Sequence, residues 1–308
     1  MATDYILFIH GVSTRYEREQ PYYADKLFAR IQNNAGSSLS LEKVALYWGN
    51  VNKEAEENLK YQLKTSKAWE KLWFKDFRKD QLLQFVGDAA LYLSRHVGSQ
   101  VVAKLKEDAQ KILGTAESPR YQPGDHLHLV THSWGTVILF DILFADRWEN
   151  ETIPGYQHVQ AIRRCLFGLP PNPDAGISLA SIHTMGSPIA LFSLLNVNGS
   201  SHDFKPRFQQ LLGNLHKVQG GRKLPWLNFI HPGDPVAWPL EKVMSYLVGE
   251  QVKSLAFEDI ITRNADLSDF LVEPISQTFL ALLHGGDAHG SYWKSSEVAK
   301  RIAQTISA

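Results

Sequence analysis

His126-Leu127-His128-Leu129-Val130-Thr131-His132-Ser133-Trp134-Gly135-Thr136 is the stretch on which the reading of this chain turns. An apolar, alternating run stops at Thr131-His132-Ser133-Trp134-Gly135, and helical spacing follows in Val137, Ile138, Leu139, Phe140, Ile142 and Leu143. The pattern predicts strand, sharp turn and helix, with one serine at the apex. It matches the G-x-S-x-G elbow except that Thr131 stands where the first glycine is usual. A turn that strains serine brings the residues two before and two after it close together, so both must be small. Gly135 meets that demand fully, and the branched Thr131 is harder to fit. The turn also sets Ser133 at the positive N-terminal end of the following helix, where developing negative charge is stabilised.

Strands and helices alternate outward from this point. Tyr5 to Ile9 reads as a buried parallel strand, apolar throughout. Tyr22 to Ile31 has helical spacing with Pro21 as its start, and Val44 to Trp48 is a second strand. A charge-rich helical region runs from about residue 54 to 113, with breaks near Asp80 and Gly98. Leu127 to Thr131, Ile177 to Thr184, Leu227 to Ile230 and Lys253 to Ile261 complete the strands. Helices are expected over Phe270 to Leu283 and from Ser295 or Ser296 to Ile306. Strands separated by helices imply a mainly parallel sheet of about six or seven strands with helices on both faces. There is no internal repeat or convincing linker, so residues 1–308 are expected to form one α/β domain with a helical insertion at 54–113. Segments 147–175 and 191–224 are long connections suited to a lid or substrate wall.

Ligands bind beyond the carboxyl ends of strands in such sheets, and four strand ends carry residues suited to acyl transfer. Gly11, directly after the first strand, lets the backbone present N–H groups, so Val12 and Trp134 are the expected pair of oxyanion donors. Ser133 is the expected nucleophile. Asp234, in His231-Pro232-Gly233-Asp234-Pro235-Val236, follows a strand and is suited to orienting a histidine. Its rivals are Asp203, Asp259, Asp269 and Asp287, with Asp259 foremost. His289, in the loop Asp287-Ala288-His289-Gly290-Ser291-Tyr292-Trp293, is the expected base, since serine needs an imidazole within hydrogen-bond reach. The nearby His284 ends an apolar helix pattern and reads as a cap. The chain order Ser133, Asp234, His289 is the order the elbow motif requires. His10, Gly11, His132 and Ser187 flank these groups and are expected to contact substrate.

Composition narrows the remaining classes. The 308 residues include 32 basic and 32 acidic side chains, which balance and give no footprint for nucleic acid. Cys165 is the only cysteine, so no disulfide framework is possible within the chain; it is expected to be buried and inert. No apolar run approaches the roughly 20 residues that span a bilayer, and Tyr5 to Ile9 is too short for a secretory signal, so a cytoplasmic protein is expected. His126 and His128 alternate on one strand face without further ligands at useful spacing, so no metal is expected. No glycine-rich phosphate loop is present, and no cofactor is expected.

These segments together resemble the α/β-hydrolases, and more narrowly the lipase-type esterases of the inositol deacylase-like and lecithin-cholesterol acyltransferase-like groups. Met185-Gly186-Ser187-Pro188 is similar to their Gly-Ser-Pro segment. Asp234-Pro235-Val236 is similar to the acid-bearing loop, and His289 with Ser291-Tyr292-Trp293 to the histidine loop. Threonine in place of the first elbow glycine is also known in some lipases. The chain begins at what would be the third strand of the full fold. The resemblance implies a serine hydrolase that cleaves carboxylic esters through an acyl-enzyme. An acyltransferase with the same triad and a non-catalytic binding module on the same fold are the alternatives. The partner expected is a small-molecule or lipid ester. Trp69, Leu72, Trp73 and Phe77, interleaved with lysines and arginines, suit peripheral lipid contact, although a helix packing its aromatic stripe on the sheet explains the pattern more simply.

Overall fold

The computed structural model describes residues 2–11, 22–51, 53–69, 95–192, 203–262 and 288–308. Six strands are formed: β1 Thr3–Ile9, β2 Ser40–Leu46, β3 His126–His132, β4 Ser178–Met185, β5 Leu224–Ile230 and β6 Leu255–Ile261. The helices are α1 Asp25–Ala35, α2 Lys53–Thr65, α3 Arg95–Leu113, α4 Trp134–Phe144, α5 Tyr156–Arg164, α6 Ile189–Phe192, α7 Lys205–Val218, α8 Met244–Val248 and α9 Ser296–Ile306. The strands lie in the order β2-β1-β3-β4-β5-β6, and every pair is parallel. This is an α/β arrangement, a parallel six-stranded sheet with helices on both faces.

The apolar runs form strands because both sheet faces are covered, so nearly every residue of β1, β3 and β5 is buried. One face packs Leu7, Ile9, Leu127, Leu129, Leu179, Ile182 and Trp226 against α3, α4, α5 and α7. The other packs Ile6, Phe8, Val130, Met185 and Phe229 against α1 and α9, which lie side by side. β2 starts four residues before the predicted run, at Ser40. As an edge strand it tolerates the half-exposed, polar stretch that hid it from a hydrophobicity reading. β5 also starts early, at Leu224. Its pairing with β4 begins only at Trp226, so the missing N–H of Pro225 falls outside that ladder. α9 begins as its sequence suggests, with the Ser295 hydroxyl accepting from Val298 N at 3.3 Å.

The direction in which strands are added to the sheet reverses between β1 and β3. From β1 the chain runs outward to β2, then crosses back to place β3 on the other side. The crevice at the carboxyl ends of those two strands is the topological switch point, where such folds bind ligands. Ile9 pairs with Thr131, so Gly11 and Ser133 emerge side by side there.

The two candidate walls are described in part. In the stretch 147–175, the guanidinium of Arg163 donates to the carbonyls of Ile142 and Ala145 at 2.9 Å each, which fixes the segment at the carboxyl end of α4, away from Ser133. Within 191–224, Lys205–Val218 is the crossover helix α7, which buries Phe208, Leu211, Leu212 and Leu215 against the sheet side. Residues 193–202 lie outside the described residues, as do the predicted helix at 270–283 and most of the aromatic stripe beyond Trp69.

Candidate active site

Ser133 has φ 53° and ψ −132°, and it is the only non-glycine residue with positive φ among those described. Such a conformation costs about 1–3 kcal/mol and persists only where the surroundings enforce it. Two close approaches enforce it here. A Cβ on Gly135 would sit 2.3 Å from the carbonyl oxygen of His10, so the first turn of α4 rests directly on the end of β1. A Cβ on Gly11 would sit 2.4 Å from Ser133 Cβ and 2.9 Å from its Oγ. Thr131, the departure from the glycine pattern, is fully buried, and its hydroxyl pairs with that of Thr136 at 2.8 Å across the elbow. The bond turns an awkward side chain into a brace for the turn.

The imidazole of His289 reaches the same rim. Its Nδ1 donates to both oxygens of Asp234, at 3.0 Å and 2.9 Å. That bond places the remaining lone pair on Nε2, the tautomer a general base requires. Ser133 N donates to Met185 O at 2.9 Å, and a Cβ on the next residue, Gly186, would lie 3.2 Å from His289 Nδ1. Serine and imidazole therefore flank the same two-residue corner after β4. Ser133 Oγ and His289 Nε2 are each buried and without a hydrogen-bond partner among the described residues. Unpaired buried polar atoms are rare and call for an explanation. No hydrogen bond joins the two in this structure.

The acid is held from several sides. Burial pushes the Asp234 carboxyl up, but hydrogen bonds from His289, Val236 N and Tyr292, with the charge of His289, outweigh it and hold it below the usual carboxylate value. Val236 N lies 2.9 Å from Oδ1, and the Tyr292 hydroxyl donates to Oδ2 at 2.8 Å. Asp259, the foremost rival, spends its carboxylate elsewhere: it accepts from Leu240 N, Glu241 N and Asn228 Nδ2 at 3.0 Å, 2.9 Å and 2.7 Å. Asp203 caps the start of α7 through Lys205 N at 3.0 Å. His284, Asp269 and Asp287 lie outside the described residues.

Of the expected oxyanion donors, Trp134 opens α4, so its backbone N–H belongs to the helix N-terminus beside Ser133. Val12 lies outside the described residues. The residues expected near substrate pack around Ser133 and bond to its neighbours. His10 is fully buried; its Nδ1 donates to Gly11 O at 2.5 Å, and its Nε2 accepts from Trp48 N at 3.2 Å. Burial lowers its pKa to about 4, against the opposing pull of the Gly11 carbonyl, so it is neutral at pH 7. Ser187 is also fully buried, and its hydroxyl accepts from Ile189 N at 3.2 Å, capping α6. His132 donates from Nε2 to the backbone oxygen of His289 at 2.7 Å. Its pKa falls to about 3, through burial first and then the neighbouring charge of His289.

Other chemistry-bearing residues are engaged structurally. His128 bonds Ser181 Oγ at 2.7 Å and Asp4 at 3.2 Å, while His126 lies 3.4 Å from the same carboxylate. No group of three or more potential metal ligands occurs among the described residues. The Cys165 thiol is pushed up to about 11 by burial and then by Glu117, which suppresses the thiolate. It lines an apolar cavity of about 60 Å³ between the sheet and helices α3, α4 and α5.

Tyr292 and Gly186 are the site residues that sequence reasoning did not single out by role. Tyr292 follows His289 by three positions, the spacing that puts two side chains on one face of a helical turn. Gly186 has φ +55°, and a Cβ there would lie 2.6 Å from Asp234 Oδ2.

No protein-family profile matches the chain, and no curated protein matches it. Among solved structures it is similar to dienelactone hydrolase from Anabaena variabilis, at 13% identity over 92% of this chain and 85% of that one, with a TM-score of 0.30. It is also similar to acetyl xylan esterase, crystallised as an iodinated complex, at 9% identity over 99% of this chain and 98% of that one, with a TM-score of 0.31. At so loose a superposition neither neighbour informs the chemistry of this chain. No helix among the described residues is long and apolar enough to cross a membrane.

Proposed function

We propose that this protein is a serine hydrolase that cleaves carboxylic esters through an acyl-enzyme, with Ser133 as nucleophile, His289 as general base and acid, and Asp234 as the residue that orients the imidazole. The observation that carries the reading is the strained, unpartnered Ser133 hydroxyl on the same rim as an imidazole whose other nitrogen is bonded to a buried carboxylate. In the first half-reaction Ser133 Oγ attacks the ester carbonyl as its proton passes to His289 Nε2, and the alcohol leaves with that proton. Water then attacks the acyl-enzyme as its proton passes to the same nitrogen, the acyl–Oγ bond breaks to release the acid, and the proton returns from Nε2 to Ser133 Oγ. Asp234 stabilises the imidazolium in both halves. Val12 N–H and Trp134 N–H are the proposed oxyanion donors, and the helix N-terminus adds its positive potential.

The substrate proposed is a small-molecule or lipid ester. Hydrolysis of nitrophenyl esters of increasing chain length tests the reading. Ser133→Ala is expected to lower turnover by at least about 1,000-fold while leaving the circular dichroism spectrum unchanged. Undiminished hydrolysis by that variant rules out the proposed nucleophile.

A further inference from the structure

We propose that Tyr292 and His132 are positioning residues that clamp the base and its acid against the serine elbow; this rests on Ser133, His289 and Asp234 acting as described in the proposed function. Their hydrogen bonds form a closed circuit around the site. Ala288 to Gly290 make a helical turn that runs into the 3-10 turn Ser291–Lys294, so His289 and Tyr292 point the same way. Both grip one oxygen, Asp234 Oδ2: the imidazole at 2.9 Å and the phenol at 2.8 Å. The same phenol oxygen accepts from His231 N at 2.8 Å, and His231 O accepts from Asp234 N at 2.9 Å. Tyr292 is fully buried, so this oxygen ties the terminal turn to the end of β5 with no water in competition.

His132 closes the circuit from the other side. It is the residue immediately before the nucleophile, and its Nε2–H holds the backbone oxygen of His289 at 2.7 Å. The two rings lie 4.6 Å apart between centroids, and the Trp293 ring stands edge-on to His132 at 5.5 Å. Two imidazoles thus lie close to one serine, yet only one carries a carboxylate. His132 has a neutral carbonyl as its Nε2 partner, so a proton leaving Ser133 is directed to His289, the ring with the anionic partner. The clamp fixes the base through its backbone and its acid through the side chain, so the base position follows the elbow rather than its own loop.

The test compares wild type with Tyr292→Phe, His132→Leu, His132→Gln and Ser133→Ala. The readouts are the rate of phosphonylation by a fluorophosphonate across pH and the low-field proton NMR signal of the His289–Asp234 hydrogen bond. Tyr292→Phe and His132→Leu are expected to slow phosphonylation on the order of 10- to 100-fold, the scale of a small misplacement of reacting groups. Tyr292→Phe should also move the acid limb toward higher pH, because a carboxylate that has lost one donor holds the imidazole proton more strongly. His132→Gln, whose amide N–H can reach the same carbonyl, should recover most of the loss that His132→Leu shows. Wild-type rates, acid limb and low-field signal in Tyr292→Phe overturn the clamp while leaving the triad intact. Equal phosphonylation of Ser133→Ala overturns the triad, and the clamp with it.

Discussion

Thr131 and Gly11 show how much of the site is decided by single atoms. The motif asks for glycine at position 131, yet threonine serves because its hydroxyl finds Thr136 at 2.8 Å. Thr131→Val preserves the shape and leaves the Thr136 hydroxyl buried without that partner. It should destabilise the protein by about 1–3 kcal/mol, read from urea unfolding, and an unchanged midpoint would contradict the brace. Gly11 has no such alternative. A Cβ there meets Ser133 Cβ at 2.4 Å, so Gly11→Ala must push the serine out of place or move the end of β1. Loss of phosphonylation by about 100-fold or more is expected, with a far smaller effect on unfolding. Full reactivity in that variant would show that the loop is not packed on the nucleophile.

The helix α4 and strand β1 carry the site as elements. Gly135 lets the first turn of α4 touch the His10 carbonyl, which aims the helix N-terminus at the crevice. Gly135→Ala should cost about 1–3 kcal/mol of stability through overpacking and should lower reactivity as well; a neutral effect on both would argue against the close approach. The central elements were legible in the sequence because parallel strands buried on both faces read as short apolar runs bounded by turn residues. The composition of the long connection after β4 suits a lid or substrate wall, and within it residues 205–218 carry Phe208, Leu211, Leu212 and Leu215 at helical spacing and form the crossover helix. Its polar face had masked its periodicity. The sequence already favours Asp234 over Asp259 by its place in a turn just after a strand. Both follow or lie on strands, and only the hydrogen bonds from Leu240, Glu241 and Asn228 reveal that Asp259 is committed to a turn. The role of Tyr292 was hidden, since its spacing from His289 means a shared face only where that segment is helical.

At the scale of the whole molecule, four histidines among the described residues are buried with their pKa values pushed down, in each case chiefly by burial: His10 to about 4, His132 to about 3, and His128 and His183 below the ordinary value. In the unfolded chain each titrates near 6.5. Between that value and the lowered folded ones, the unfolded state binds more protons, so stability rises with pH. The contribution is complete above about pH 6.5 and is lost as pH falls toward the folded values, by up to about 1.4 kcal/mol per pH unit for each histidine. Calorimetry should therefore show a steep fall in the unfolding temperature from about pH 6.5 to about pH 4, and a flat profile there would mean that these rings are not held neutral. Two of those residues, His10 and His132, adjoin the serine elbow, and the reactivity of Ser133 can be read in one experiment. Wild-type protein treated with a fluorophosphonate, digested and mapped by mass spectrometry should carry a single adduct on Ser133, with His289→Ala reducing it sharply. An adduct at another residue, or none on folded wild-type protein, would contradict Ser133 as the activated serine.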